Sequence, residues 1–349
     1  MESILKRTVV SGIRATGALH LGNYLGAIRQ CAELAEDSRN DCHFFVADLH
    51  TMTTRPDPED LRRYRRGVVL DFLAAGIDPA RATIYTQSSV PETAELLWIL
   101  SCLTPVSELM RMHHFADKRA ELEKHGLMAN AGLLTYPVLM AADILGPRAN
   151  LVPVGDDQRA HVEMARNLAE RFNQTYGELF PIPDLRIRDE RRVPSLTTPG
   201  KKMGKSDEDG VIPLDVTPER LKKLLRQAFT DPARNTRDKP GTPEICSIYT
   251  LHQFVSTRDD LAWAHDGCTT AGIGCGDCKE RLGVNLNAIL QPIRERRASL
   301  MARPPEDLDE ILHEGGRRAR ARIQETVARA KDLAGIPAAS TPHLRGGGP

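Results

Sequence analysis

Up to about residue 207 the chain alternates short apolar runs with amphipathic stretches, which predicts repeating strand and helix. Thr8-Val9-Val10 reads as a strand, closed by a turn at Ser11-Gly12. Over residues 23–35 apolar side chains recur at helical spacing, at Leu25, Ile28 and Ala32. Phe44-Phe45-Val46-Ala47 is a continuous apolar run, as a parallel strand buried on both faces requires. Asp57-Pro58-Glu59 then opens a helix with Leu61, Tyr64, Val68 and Phe72 on one face, and Gly76 ends it. Asp57 offers a capping oxygen, and the fixed φ of Pro58 suits the first turn. Thr83-Ile84-Tyr85-Thr86 is the next strand, residues 92–103 the next helix, and Leu151-Val152-Pro153-Val154 a fourth strand. A helix carrying His161, Met164, Ala165 and Leu168 follows. This order predicts an α/β fold with a doubly wound parallel sheet, whose ligands sit at the carboxyl ends of strands near a topological switch point.

Beyond residue 207 strand signals fade. Thr217-Pro218-Glu219 starts a helix with Leu221, Leu224, Leu225 and Phe229 on one side, and helical stretches follow over 279–300 and 306–334. Two domains are therefore expected within the 349 residues, the second all-helical. From Pro337 the composition turns to Pro, Ser, Thr and Gly, so residues 337–349 are expected to be disordered. Hydrophobic content of 41% and charged content of 27% describe an ordinary soluble globular protein. There is no apolar run of membrane-spanning length, and lysine and arginine follow Met1-Glu2-Ser3-Ile4 without a signal-like core. The expected location is cytoplasmic. Positive and negative side chains number 47 each, so a nucleic-acid partner would have to be met by local basic patches.

Two short segments carry candidate chemistry. His20-Leu21-Gly22-Asn23 is a glycine-bearing turn before a helix, where backbone amides and the helix's positive end can approach a phosphate. His20 either donates to phosphate oxygens or is a helix-start histidine without a ligand. Lys202-Met203-Gly204-Lys205-Ser206, preceded by Lys201, is either a mobile cationic loop suited to charge developing on a transferred phosphate or a solvated basic loop. A Walker A sequence and G-x-G-x-x-G are both absent, which argues against P-loop hydrolysis and dinucleotide redox chemistry. Among seven cysteines, Cys31, Cys42 and Cys102 lie in apolar or helical contexts and read as inert core thiols. Cys246, Cys268, Cys275 and Cys278 form C-x21-C-x6-C-x2-C, which in a reducing compartment points to metal: tetrahedral zinc or a four-iron cluster.

The two segments resemble the HIGH and KMSKS signatures of class I aminoacyl-tRNA synthetases. Ser11-Gly12-Ile13-Arg14 with Thr16-Gly17, Asp48-Leu49-His50, Tyr136-Pro137, Met140 through Leu145 and Val152 through Gln158 extend the likeness to bacterial tryptophanyl-tRNA synthetases, over about residues 8–335. The cysteine array is similar to that of the subset carrying a [4Fe-4S] cluster, which shifts the reading of the thiols from zinc to iron–sulfur. The resemblance implies a Rossmann-like ATP- and tryptophan-binding domain over 1–207 and a helical anticodon-binding domain over 208–311, with a last helix at about 312–335 packing back on the first. It implies that His20, Gly22 and Asn23, with Arg14, Thr16, Gly155, Asp157, Met203 and Gly204, serve ATP, while Lys202, Lys205 and Ser206 close over pyrophosphate. Asp143 would accept the indole N–H with Met140 against the ring, and His50, Tyr136 and Gln158 would complete the amino-acid pocket. The implied cofactors and partners are ATP, Mg2+, the cluster, L-tryptophan, tRNA(Trp) and a second copy of the chain, with neither membrane nor DNA.

Three departures stand out. Gly204 replaces the usual serine of the lysine loop, Asp156 stands where glutamate is common, and Arg14 where many members carry glutamine. Arg14 suggests an auxiliary copy resistant to tryptophan-mimicking inhibitors. The basic run Arg317, Arg318, Arg320 and Arg322, with Arg281, supplies candidate phosphate contacts. The competing readings are a tryptophan-activating paralogue with another acceptor, and a non-catalytic tRNA-binding sensor of iron or redox state.

Overall fold

The computed structural model describes residues 6–112, 115, 119, 124, 126, 128–187, 192–198, 200–204 and 207–336. Five strands, β1 (Arg7–Ile13), β2 (Asn40–Val46), β3 (Ala82–Thr86), β4 (Leu151–Pro153) and β5 (Asp184–Arg186), form one parallel sheet in the order β3-β2-β1-β4-β5. The chain winds outward from β1 to β3, then returns to the other side of β1, so the switch point lies between β1 and β4. The expected doubly wound sheet is present. Its fifth strand was not foreseen, because Asp-Leu-Arg is short and largely exposed.

The helices of the first half are α1 (Leu21–Asn23), α2 (Arg29–Glu36), α3 (Asp48–Thr51), α4 (Pro58–Ala74), α5 (Glu92–Cys102), α6 (Val106–Arg111), α7 (Ala131–Leu145) and α8 (Arg159–Tyr176). After residue 207 come α9 (Pro218–Gln227), α10 (Ser247–Val255), α11 (Arg258–Thr269), α12 (Cys275–Met301) and α13 (Pro305–Leu333). Asp57 caps α4 as expected, accepting from the Glu59 and Asp60 N–H groups at 2.8 and 3.2 Å. Gly76, at φ +98°, takes the left-handed turn just beyond its end. The helix predicted over 23–35 is interrupted. Tyr24–Ile28 forms a π-helical turn between α1 and α2, a feature that recurs at functional sites.

Adjacent residues on each central strand go to opposite faces. Val9, Phe44 and Ile84 pack beneath α2 and α4, whereas Val10, Phe45 and Tyr85 pack beneath α5, α7 and α8. Both faces are covered, which is why the strands read as unbroken apolar runs. The first apolar cluster continues through Leu221 and Leu225 into Leu282, Leu286, Leu290 and Ile293 of α12. The helical region thus shares an apolar interior with the sheet's first face.

Helix α13 returns to the second face, where Ala319, Ile323 and Val327 are buried. A Cβ on Gly315 would overlap the Ile84 carbonyl, so only glycine permits that approach to β3. The basic run corrects an expectation. Arg318 donates to the Pro79 carbonyl at 2.9 Å and Arg320 to Glu92 at 2.8 Å. Arg322 donates to Pro147 at 2.6 Å and to Asp41 and Thr8 at 2.8 Å each. Arg318 and Arg322 fasten α13 to the sheet and its loops, Arg320 fastens it to α5, and Arg317 pairs with Glu314. Arg281 is likewise engaged, by Asp260 at 2.7 Å and over the Trp263 ring.

Cys31 and Cys42 are buried as expected, and burial pushes both thiols up to about 12. Cys102 is exposed instead, because it ends α5 one turn beyond Trp98 on an outward face. Among the described residues no helix is long and apolar enough to cross a membrane. Residues 337–349, expected to be disordered, lie outside the described residues.

Candidate active site

The glycine-bearing turn and the lysine loop lie in contact. His20 precedes α1, and its backbone N–H donates to the Asn23 side-chain oxygen at 3.1 Å. The segment after the lysine loop then folds back along this turn. Leu21 N–H donates to the Ile212 carbonyl at 2.8 Å, Leu214 N–H donates to Leu19 at 3.3 Å, and His20 bridges Pro213. A Cβ on Gly22 would lie 3.0 Å from the His20 ring and 3.4 Å from the Cβ of Met203, so the bare glycine lets the turn and the lysine loop pack closely.

The lysine loop rises from a small antiparallel clip in which Met203 N–H donates to Val193 and Ser195 N–H to Lys201, both at 2.8 Å. Met203 is buried while Lys202 is exposed, so the thioether anchors the loop and the ammonium stands at the surface. Lys202 Nζ lies 3.5 Å from Asp157 Oδ2, and Gln158 donates to the same oxygen at 3.2 Å. Burial raises the Asp157 carboxyl, but the Lys202 charge and these hydrogen bonds outweigh it and hold the group below its ordinary value. Gly155 lies just beyond β4, where a Cβ would meet Asp157 at 2.8 Å. Gly204 has no left-handed φ, and a Cβ there would meet nothing nearer than the Lys202 carbonyl at 3.8 Å. A serine would therefore fit. Lys205 and Ser206 lie outside the described residues.

Asp207 anchors the far side of the loop and went unnoticed in the sequence. Its Oδ2 accepts from Ser195 and Thr197 hydroxyls at 2.7 Å each and from Thr198 at 3.2 Å, while Oδ1 accepts from Gly210 N–H at 3.0 Å. The Thr197 and Ser195 hydroxyls hold this carboxyl below its ordinary value. The signal available was Ser195-Leu196-Thr197-Thr198 standing ahead of an acid, a set of donors awaiting an acceptor.

A second group gathers around Asp143 of α7, which is 3% exposed between Ala142 and Ile144. His50 Nε2 lies 2.9 Å from its Oδ2, and Gln87 Nε2 donates to both oxygens at 2.8 Å. Gln87 Oε1 in turn accepts the His50 N–H at 3.2 Å. Burial pushes the Asp143 carboxyl up, opposed by the hydrogen bonds of His50 and Gln87. Arg14 donates to the His50 carbonyl at 3.4 Å and to Thr53 at 3.5 Å. Tyr136 meets the His50 ring edge-on at 6.2 Å, and its hydroxyl lies 2.9 Å from His161 Nε2. Met140 is partly buried against the second apolar cluster, and Thr16 is exposed beyond β1, its N–H donating to Arg14 at 3.0 Å. Gln87 carries no motif signature and escaped the sequence reading, and His161 was read only as a helix residue. Arg14, His50, Gln87 and Gly155 follow β1, β2, β3 and β4 in turn, so both groups occupy the carboxyl edge of the sheet.

The four remaining cysteines line one cavity together with Arg234 and Tyr249. Cys246 precedes α10, Cys268 lies in α11, and Cys275 and Cys278 form the first turn of α12. Arg234, 8% exposed, directs Nη1 at Cys268 Sγ (3.6 Å) and Cys275 Sγ (3.9 Å). Burial pushes the Cys246, Cys268 and Cys278 thiols up, the last to about 12. Among the described residues no three potential ligands meet at metal-ion spacing, although the four sulfurs face a common space.

Residues 5–291 match the family model of class I tRNA synthetases (W and Y). The tryptophan–tRNA ligase of Thermotoga maritima is 41% identical over 331 residues, covering 93% of this chain and 99% of its own. Tryptophan–tRNA ligase 2 of Streptomyces avermitilis is 42% identical over 334 residues, covering 94% and 96%. Among solved structures, tryptophanyl-tRNA synthetase of Campylobacter jejuni complexed with ADP and tryptophan superposes with a TM-score of 0.80 at 35% identity, over 94% of this chain and 100% of that one. The Mycoplasma pneumoniae enzyme gives 0.81 at 31% identity, over 95% and 98%. Signature turns in contact, a buried carboxylate at the sheet's edge and similarity along nearly the whole chain agree: the chain belongs to the bacterial-type tryptophanyl-tRNA synthetases of class I, the ligases that join tryptophan to tRNA.

Proposed function

We propose that the reaction runs on the residues of this edge as follows. L-Tryptophan enters with its indole N–H on Asp143, its ring against Met140 and its polar end among His50, Tyr136 and Gln158. ATP enters as its Mg2+ complex, with its phosphates over His20, Gly22 and Asn23 and its nucleoside side near Thr16, Gly155 and Asp157. A tryptophan carboxylate oxygen attacks the α-phosphorus, the bond to the β-phosphate oxygen breaks, and pyrophosphate leaves with tryptophanyl-adenylate formed. Lys202, Lys205 and Ser206 counter the charge building on the leaving group, and Arg14, Met203 and Gly204 shape the ATP side. The 2′-hydroxyl of the terminal tRNA adenosine then attacks the acyl carbon and AMP departs. No side-chain nucleophile is required; catalysis consists of positioning and charge stabilisation.

The observation that carries this reading is the buried Asp143 carboxylate, held by two donors at the carboxyl edge of the sheet. A buried charged acceptor with lone pairs left unmet costs roughly 1–3 kcal/mol, and Oδ1, met by Gln87 alone, has that capacity for a ring bearing N–H. Tryptophan-dependent ATP–pyrophosphate exchange, run across the amino acids and followed by charging of tRNA(Trp), tests it. Exchange with tryptophan alone and charging of that tRNA are expected. Exchange without charging would transfer the reading to another acceptor, and no exchange would leave a non-catalytic sensor.

Residues 1–207 form the proposed catalytic unit and 208–311 the anticodon-binding unit. The four-cysteine cavity fits a thiolate-bound metal group: four soft sulfurs, a buried guanidinium and no carboxylate in its lining. Bound there, a [4Fe-4S] group would tie α10, α11 and α12 together through Cys246, Cys268, Cys275 and Cys278. Iron and acid-labile sulfide at four each per chain are expected; stoichiometric zinc would replace that assignment. A homodimer is the proposed assembly, supported by Trp98, Val106 and Met110, which are 72%, 61% and 61% exposed on α5 and α6.

A further inference from the structure

We propose that Gln87 is a specificity-determining positioning residue, holding Asp143 in the orientation and charge state in which one carboxylate oxygen accepts a ring N–H. This rests on the reading of Asp143 as the indole acceptor and extends it to the group that prepares the acceptor.

Gln87 follows directly after β3, a strand buried along all five residues, and is itself 1% exposed. Its amide has one workable orientation. Oε1 receives the backbone N–H of His50 at 3.2 Å and Nε2 reaches both Asp143 oxygens at 2.8 Å. Exchanging the two ends would set N–H against N–H and oxygen against carboxylate, two repulsions in a buried site.

The acceptor inventory then becomes uneven. Oδ2 of Asp143 takes both Gln87 and His50, while Oδ1 takes Gln87 alone. An ionised carboxylate offers about four lone-pair positions, so Oδ1 keeps the larger unused capacity. Gln87 is neutral and supplies only donors at this end. It therefore favours the ionised carboxylate without cancelling its charge, as an arginine or lysine would. Because it also holds the His50 backbone, one side chain just beyond β3 registers the β2 loop and α7 against each other.

The test compares L-tryptophan with β-(3-benzothienyl)-L-alanine, in which sulfur replaces the ring N–H at nearly the same shape. Pyrophosphate exchange is measured for wild type, Asp143→Ala, Gln87→Met and Gln87→Asn, with a thermal melt confirming that each variant folds. Wild type is expected to prefer tryptophan by a factor on the order of 10² or more. Asp143→Ala is expected to bring that preference to within a few-fold of unity. In Gln87→Met, kcat/KM for tryptophan is expected to fall about 10- to 100-fold, mainly through KM, which corresponds to a hydrogen bond to a charged group. The analogue should change by less than about 3-fold on the same argument, because it never used the acceptor. Gln87→Asn keeps the amide one methylene short, and its preference should fall between wild type and Gln87→Met. Equal losses for both substrates would assign Gln87 a merely structural role and overturn the proposal. So would full preference in Gln87→Met alongside its loss in Asp143→Ala. Preference surviving in Asp143→Ala would instead remove the reading of Asp143 itself.

Discussion

A carboxylate on an apolar helix is costly to bury, and Asp143 persists because His50 and Gln87 reach it from two other elements. The identity of Asp143 was legible, since an acid among Ala141, Ala142, Ile144 and Leu145 demands a reason. Its partner Gln87 was not, because a lone glutamine after a strand carries no periodic or spacing signal. Lys202 shows the opposite case: its cluster was legible, while its resting partner Asp157 is known only from the fold. Lys202→Ala is expected to lower kcat for pyrophosphate exchange about 10²- to 10³-fold, as loss of a transition-state charge partner does. Asp157→Asn, which keeps the side chain's shape, would separate a resting latch from the chemistry itself. The thiols give a simpler check. Cys102 is exposed, whereas Cys31 and Cys42 are buried and pushed up to about 12. At pH 8, iodoacetamide followed by peptide mass spectrometry should find Cys102 modified well before either of them; early labelling of Cys31 or Cys42 would contradict the burial described.

At the scale of elements, the ends of α4 and α9 were readable because caps are local: Asp57 and Thr217 bind the first amides of their own helices. The π-helical turn after α1 was not, since its hydrogen-bond pattern leaves the side-chain sequence of a helix unchanged. Helix α13 could be located by its period but not placed. Gly315, tight against the Ile84 carbonyl, is the residue that allows its approach to β3. Gly315→Ala should lower unfolding stability by about 1–3 kcal/mol in a urea titration, the usual cost of overpacking. Gly316→Ala, which would meet the movable Ser89 hydroxyl, should cost less. The Asp41 clasp on the same helix adds a pH dependence. His43 and then Arg322 hold the Asp41 carboxyl at about 2 against an opposing effect of burial. A depressed folded-state value stabilises above the unfolded value of 3.8 and loses that stability as pH falls through about 2. The urea midpoint of the wild type should therefore drop more steeply between pH 4 and 2 than that of Asp41→Asn.

For the whole molecule, the apolar interior runs from β1 and β2 into α12 without a break. Helix α12 carries Cys275 and Cys278 in its first turn and, near its other end, Arg297 against Asp71 at 2.8 Å and Arg296 on the Ala74 carbonyl at 2.6 Å. The four-cysteine cavity is thus mechanically continuous with α4 of the sheet layer. Trp98, Val106 and Met110 are exposed apolar side chains on α5 and α6, where the proposed second copy would sit. Trp98→Glu should shift the protein from dimer to monomer by light scattering while leaving the far-ultraviolet circular dichroism unchanged; a dimer persisting at micromolar concentration would remove that face from the interface.

By itself the sequence determined the strand–helix alternation, the two signature turns, an acid set among apolar helix residues and the four clustered thiols. Each of these is written in local patterns: periodicity of two or 3.6, capping residues, glycine beside a cation, cysteine spacing. Tertiary structure alone decided which of the basic residues are committed to the fold. Arg318, Arg320 and Arg322 look like a nucleic-acid patch in one dimension and prove to be fasteners in three, because their carboxylate and carbonyl partners lie more than 170 residues away. It likewise decided that Gln87 and Asp207 hold the site together. A hydrogen bond between distant segments leaves no trace in either one, whereas a helix or a turn is encoded where it stands.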